Sequence, residues 1–467
     1  MRRLVTGLRA SCAAARKRPG SVVWLVASAC VVSASAMALS AGPLTAQQPT
    51  PPAIPHTPAG LVLRVWLDAF NSGDSVRLDA YNRRYQPDRK VADELRFRAR
   101  TGGFDLVAIL RSEPRQLAFL VQERKSPMVG FGAITLADTE PPHVSDFVLR
   151  AAGPNLMADS LRVDAAERAR VIAGAAAELD SFYVFPQVAA RIGDTLRARL
   201  ARGEYDRYDN GFTFAMRLNE DVRALSHDKH MRVDYVAQPA PAAPGANPTP
   251  DDIARERRQL EDANCGFDEA EVLPGNVGYL KFDFFGAVDV CEATASAAMT
   301  FLARTRALII DLRENSGGQP EMVAWVASYL FDQRTHLNDL WTRRTDSTAE
   351  YWTTDSVPGL KFGGTKPVYV LTSSRTFSGA EEFTYDLQTQ QRATVVGETT
   401  GGGAHPVRGQ RIDEHFMIGV PFARAINPIT HTNWEGKGVE PDVKVPADKA
   451  LAKAEDLIRQ TEGVGGG

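Results

Sequence analysis

Three short segments carry polar side chains of kinds that do chemistry: SHDKHMRVDY (226–235), LIIDLRENSGGQPE (308–321) and TSSRTFSGAEEF (372–383). Ser378 stands where the apolar run VYVLTSS turns toward a helix. That location puts a hydroxyl at the carboxyl edge of a sheet beside helix N-terminal N–H groups, where an oxyanion is stabilised. A serine hydroxyl is a weak nucleophile and needs a base within hydrogen-bond reach, itself oriented by a third group. His230 is the candidate base, His405 is its one competitor near the active segment, and Glu435 in NWEGKGVEPD is the candidate orienting acid. Gly317 and Gly318 let a backbone approach a substrate closely, and with the N–H of Gly379 they would complete an oxyanion hole.

Each of these residues also has a plainer reading. Ser378-Gly-Ala-Glu381 has the spacing of a helix capping box. His230 could be a solvated or structural histidine, the glycine pair a strand-to-helix turn, and Glu435 an exposed turn carboxylate. His227 and His230 stand three apart like a metal-binding pair, but Lys229 lies between them and no third ligand is evident, so no metal is assigned. No motif implies an organic cofactor, and water is the only co-reactant that acyl transfer needs.

The elements that must position these groups follow from apolar spacing. Helical periodicity runs from Ala59 to Ser75 and a second helix reaches Tyr81; strands follow at 104–110, 116–122, 128–136 and 144–149, an α+β module. AAERARVIAGAAAELDSFYVF, VAARIGDTLRARLARGEY and FTFAMRLNEDVRAL each show an apolar stripe and predict a three-helix bundle. Residues 237–251 are a Pro/Ala/Gly linker, followed by a charged helical segment. Beyond Gly275 the pattern is α/β, with strands at 277–284, 307–312, 368–372 and 394–396, helices near 293–303, 321–331 and 379–390, and a β pair near 415–426. ALIIDL and VYVLT are continuously apolar, as strands of a sheet covered on both faces must be. No fixed-period repeat is present.

Six basic residues from Arg2 to Arg18 precede the apolar stretch Val22–Leu39, and small residues lead to Leu44-Thr45-Ala46. This is the pattern of a secretory leader cleaved after Ala46; the alternative is a retained single-span anchor. Either way the folded part is expected outside the cytoplasm, in the periplasm or cell envelope. With Cys12 and Cys30 in the leader, the exported part keeps Cys265 and Cys291, which are expected to pair in an oxidising space; two unpaired small hydrophobes are the other reading. A net charge of -3 gives no polycationic footprint, so nucleic acid is not an expected partner.

Taken together, D-K-H at 228–230, LPGNVGYLKFDFF, LIIDLRENSGG, TSSRTFSGAEEF, VVGETTGGGAHP and EGKGVEPDVKVP resemble the tail-specific, or C-terminal processing, serine peptidase family, in the branch similar to tricorn protease and interphotoreceptor retinoid-binding protein. The resemblance runs from about Asp159 to Ala452. It implies an α/β crotonase-like (ββα) peptidase core preceded by a helical bundle, with Ser378 as nucleophile, His230 as general base, Glu435 as its orienting acid, and peptide or unfolded protein as substrate. The lysine expected after GETT in the processing branch is replaced within Gly401–Ala404, Lys229 stands where the tricorn-like arrangement has a small hydroxyl residue, and no PDZ domain is evident. The first module resembles, more distantly, the nuclear-transport-factor-2-like (ketosteroid-isomerase-like) cone fold through LVLRVWLDAFNSGD and the strands after it. The resulting organisation is 1–46 leader, 47–55 spacer, 56–152 cone-like accessory domain, 159–236 helical bundle, 237–262 linker and charged helix, 263–455 peptidase core and 456–467 tail. The alternative from another class is a non-catalytic binder of retinoids, fatty acids or peptides on the same fold.

Overall fold

Thr57 accepts the Gly60 N–H at 3.1 Å and Pro58 fills the first turn, so helix α1 (Pro58–Ser72) starts where the Pro-rich spacer ends. The computed structural model that follows describes residues 52–87, 89–239 and 249–464; the leader, most of the spacer and part of the linker fall outside it. Helices α2 (Ser75–Tyr85) and α3 (Val91–Thr101) follow, then strands β1 (Phe104–Ser112), β2 (Gln116–Glu123), β3 (Met128–Leu136) and β4 (Val144–Pro154), an antiparallel meander in chain order. Alternation along β2 splits its side chains between two cores. Leu117, Phe119 and Val121 face the helices and the Trp66–Phe70–Phe104 stack, while Ala118 and Leu120 face the bundle beyond.

Helices α4 (Ala165–Phe182), α5 (Pro186–Ala201) and α6 (Gly211–Ser226) form that bundle. Asp164 caps α4, and Asn210 caps α6 by accepting from the N–H groups of Phe212 and Thr213. Phe212 stacks on Phe131 of β3 at 4.4 Å, so the bundle and the first module share a hydrophobic core. At its end α6 turns through His227 in the left-handed conformation (φ 58°), which redirects the chain into Asp228-Lys229-His230 and then β5 (Arg232–Tyr235).

After α7 (Pro250–Asp262) come β6 (Phe267–Leu273), β7 (Val277–Phe282), α8 (Val288–Leu302), β8 (Ala307–Asp311), α9 (Pro320–Ala327), β9 (His336–Thr342), β10 (Ser347–Trp352), β11 (Val368–Thr372), α10 (Gly379–Thr389), β12 (Thr394–Gly397), β13 (Val407–Arg411), β14 (Phe416–Pro421), β15 (Ala423–Ile426), β16 (Val443–Lys444) and α11 (Ala450–Val464). A six-stranded sheet runs in the order β16-β12-β11-β8-β7-β6, parallel except for the β6–β7 pair. Every residue of β8 and β11 is buried, because Leu308, Ile310, Val368 and Val370 face α8, α9 and α10 while Ile309, Tyr369 and Leu371 face α11. Cys265 and Cys291 form a disulfide that ties the approach to β6 onto α8.

The expected β pair at 415–426 is not a pair. Pro421 ends β14, which lies between β13 and β5, and β15 leaves to join β9 and β10 in a separate sheet. None of the helices among the described residues is long and apolar enough to cross a membrane.

Candidate active site

Strands β12, β11 and β8 are adjacent and parallel, so the loops leaving their carboxyl ends meet. Hydrogen bonds from backbone and side chains then lock the loops together. Thr376 donates to the Leu312 carbonyl at 2.8 Å, the Phe377 N–H donates to the Asn315 carbonyl at 3.1 Å, and the Gly401 N–H donates to the Thr376 carbonyl at 2.9 Å. The Asn315 side chain accepts from the Gly317 N–H and donates to the Phe282 carbonyl, both at 2.9 Å.

Ser378 lies at the tip of this assembly with φ 54° and ψ −122°, a conformation that costs a non-glycine residue about 1–3 kcal/mol and clusters at functional sites. Gly317 (φ 102°) and Gly318 (φ 137°) pass against it so closely that a Cβ on Gly317 would sit 2.7 Å from the Gly379 nitrogen and 2.7 Å from the Ser378 Cβ. A Cβ on Gly318 would lie 2.1 Å from the Phe285 carbonyl oxygen, so only glycine fits there. The structure therefore brings Ser378, Gly379, Gly318 and Gly317 to one place.

Glu381, fully buried one turn into α10, holds the elbow to the next loop. Its carboxylate accepts from the N–H groups of Ser378 (2.9 Å), Gly402 (2.6 Å) and Gly403 (2.8 Å) and from the Thr400 hydroxyl (2.5 Å). Burial raises its pKa, and those donors oppose the rise. A helix-cap role for this residue is visible in the sequence; its grip on residues 400–403 is not.

His230 packs its ring on Phe377, centroids 4.6 Å apart, and its Cε1 lies 2.6 Å from where a Gly403 Cβ would be. It is thus a neighbour of Ser378 through Phe377, and among the described residues no hydrogen bond joins the two. Burial lowers its pKa to about 4, Asp228 pulls it back up, and His405 and Arg232 lower it further. Its Nδ1 is buried without a partner, 4.0 Å from Asp228 Oδ1.

The expected pairing of Glu435 with His230 is not formed. Trp434 and Glu435 grip one peptide unit: Trp434 Nε1 donates to the Gly403 carbonyl at 2.8 Å, and Glu435 Oε2 accepts the Ala404 N–H at 2.5 Å. That grip turns Glu435 to His405, whose Nδ1 is 3.4 Å from Glu435 Oε2 and 2.8 Å from Asp228 Oδ2. Burial raises the Glu435 pKa to about 7, His405 opposes the rise, and Asp228 adds to it. The hydroxyl of Tyr183 is likewise pushed up, first by burial and then by Asp228 and Glu435. Among the described residues Asp228, His405 and Glu435 are close enough to share a cation, but hydrogen bonds already use their facing atoms. His227 is exposed at the end of α6, and Lys229 reaches the Gly401 carbonyl.

A cavity of about 630 Å³ opens beside Ser378, Gly379, Gly318, Gly403 and Ala404. Leu340, Phe422 and Trp434 give it apolar walls, and Glu321, Glu382 and Arg408 give it charge. Burial raises Glu382 to about 7. A larger cavity of about 870 Å³, between β4 and β5, contains none of these groups.

Residues 276–445 match the family model described as peptidase family S41, and residues 164–263 match that of the N-terminal domain of peptidase S41 in eukaryotic IRBP. The chloroplastic carboxyl-terminal-processing peptidase 2 of Arabidopsis thaliana is 28% identical over 214 residues, 44% of this chain; the chain spans about two fifths (39%) of that relative. Among solved structures, the photosystem II D1 C-terminal processing protease is similar at 17% identity and a TM-score of 0.38, covering 60% of this chain and 94% of its own. Tricorn protease is similar at 12% identity and a TM-score of 0.39, covering 74% of this chain and 40% of its own. Two models of peptidase family S41 thus match the chain in order, over residues 164–263 and 276–445.

Proposed function

We propose that the chain is an exported serine peptidase with a crotonase-like core and a cone-like accessory domain, hydrolysing peptide bonds through an acyl-enzyme. The observation that carries this reading is the strained Ser378 at the N-terminus of α10, with the Gly317–Gly318 backbone packed against it. Ser378 Oγ attacks the substrate carbonyl carbon while His230 takes the hydroxyl proton. The N–H groups of Gly379 and Gly318 receive the oxyanion, at a helix N-terminus that favours negative charge. Collapse of the tetrahedral intermediate breaks the C–N bond, His230 gives its proton to the leaving amine, and water releases the acyl group by the same steps.

A carrier of retinoids or fatty acids needs no serine held in a costly conformation, and the charged groups on the cavity wall suit a peptide better. The domain boundaries, the leader and the disulfide's service outside the cytoplasm belong to the same reading. Hydrolysis of a denatured protein by the purified chain, compared with Ser378→Ala, tests it: a loss of at least about 10³-fold is expected. Equal rates for the two proteins would refute the assignment.

A further inference from the structure

We propose that Asp228 is the residue that positions His230, and that His405 and Glu435 hold Asp228 in place; this rests on the serine-peptidase reading above. Two hydrogen bonds fix the Asp228 carboxylate. Oδ1 accepts the backbone N–H of His230 at 3.0 Å, and Oδ2 is bound to His405 Nδ1 at 2.8 Å. His405 is anchored in turn, because its ring packs T-shaped with Phe185, centroids 5.3 Å apart, and its Nδ1 is also 3.4 Å from Glu435 Oε2, which the Ala404 N–H holds.

The carboxylate thus has one unfilled role. Oδ1 lies 4.0 Å from His230 Nδ1, a buried nitrogen with no other partner. A small ring rotation would close that gap to the roughly 2.8 Å of a charge-assisted hydrogen bond. The gain is largest once the imidazole has taken the Ser378 proton, so the contact stabilises the transition state more than bound substrate and acts on kcat rather than KM. Glu435 makes no hydrogen bond to His230: its Oε2 faces Ala404 and His405, and its Oε1 is buried without a hydrogen-bond partner. The depressed pKa of His230, with Asp228 as the group that opposes the depression, agrees with a partner near but not yet engaged.

The test uses the full chain with a fluorogenic peptide that the wild type cleaves, and the rate of labelling by a fluorophosphonate. Asp228→Asn is expected to lower kcat and labelling by about 10²-fold or more with KM within about threefold. His405→Ala should lose at least about tenfold, whereas His405→Asn, whose amide can donate from near the Nδ1 position, should recover most of it. That rescue separates positioning from a folding defect, which both substitutions would share. Wild-type kcat in Asp228→Asn, or equal loss in His405→Ala and His405→Asn, would overturn the proposal while leaving the peptidase reading intact. Cleavage undiminished in Ser378→Ala would remove the reading and the proposal together.

Discussion

At the scale of single residues, the site depends on places where a side chain is missing as much as on those that carry chemistry. Gly403 lets the His230 and Phe377 rings close over its Cα; a methyl group there would lie 2.6 Å from His230 Cε1 and 2.4 Å from Phe377 Cζ. Gly403→Ala should therefore displace the imidazole and cut fluorophosphonate labelling by about tenfold or more; labelling at the wild-type rate would show that His230 is not needed there. Proton linkage gives a second test. His230 falls from an ordinary 6.5 to about 4, so the unfolded chain binds the extra proton between those pH values and stability rises with pH across them. Glu435 rises from 4.5 to about 7, so the folded chain binds the extra proton there and stability falls as pH rises. Glu435→Gln removes only the second effect. Relative to wild type, its melting temperature should climb steadily from pH 4.5 to 7, by an amount equivalent to roughly 1–3 kcal/mol. A difference independent of pH would contradict the buried carboxyl described above.

At the scale of elements, the site is three strand ends and the loops between them, clamped by Glu381. Glu381→Gln places an NH₂ among donors and should destabilise the chain by about 1–3 kcal/mol, read from denaturant unfolding, and slow labelling by loosening residues 400–403. An unchanged unfolding midpoint would mean that the clamp contributes nothing. Much of this level is legible in the sequence: VYVLT and ALIIDL are apolar throughout, as doubly covered strands require, and the Ser378 turn and the Gly317–Gly318 loop follow directly from where those runs stop. The contact between Asp228 and His405 is not, because 177 residues separate them and only packing of the bundle against the sheet brings them together. Strands β9 and β10 were equally hidden: STAEYW is largely exposed and lacks an apolar alternation. The division of 416–426 between two sheets turns on long-range pairing with β5 and β9, which local pattern does not encode.

At the scale of the molecule, the first module and the bundle share one core, with Phe131 stacked on Phe212 and Arg150 bonded to Asp234 at 2.8 Å. Phe131→Ala should cost about 3–5 kcal/mol and lower a single unfolding transition rather than split off an independent one; two separate transitions in the wild type would contradict a shared core. Everything else depends on whether Ser378 is an activated nucleophile. The most direct measurement is to react the purified chain with a fluorophosphonate and locate the adduct by peptide mass spectrometry. One phosphonylated residue, Ser378, is the expected result, with the adduct lost in Ser378→Ala and strongly reduced in His230→Ala. An adduct on another residue, or equal labelling of His230→Ala and wild type, would contradict it.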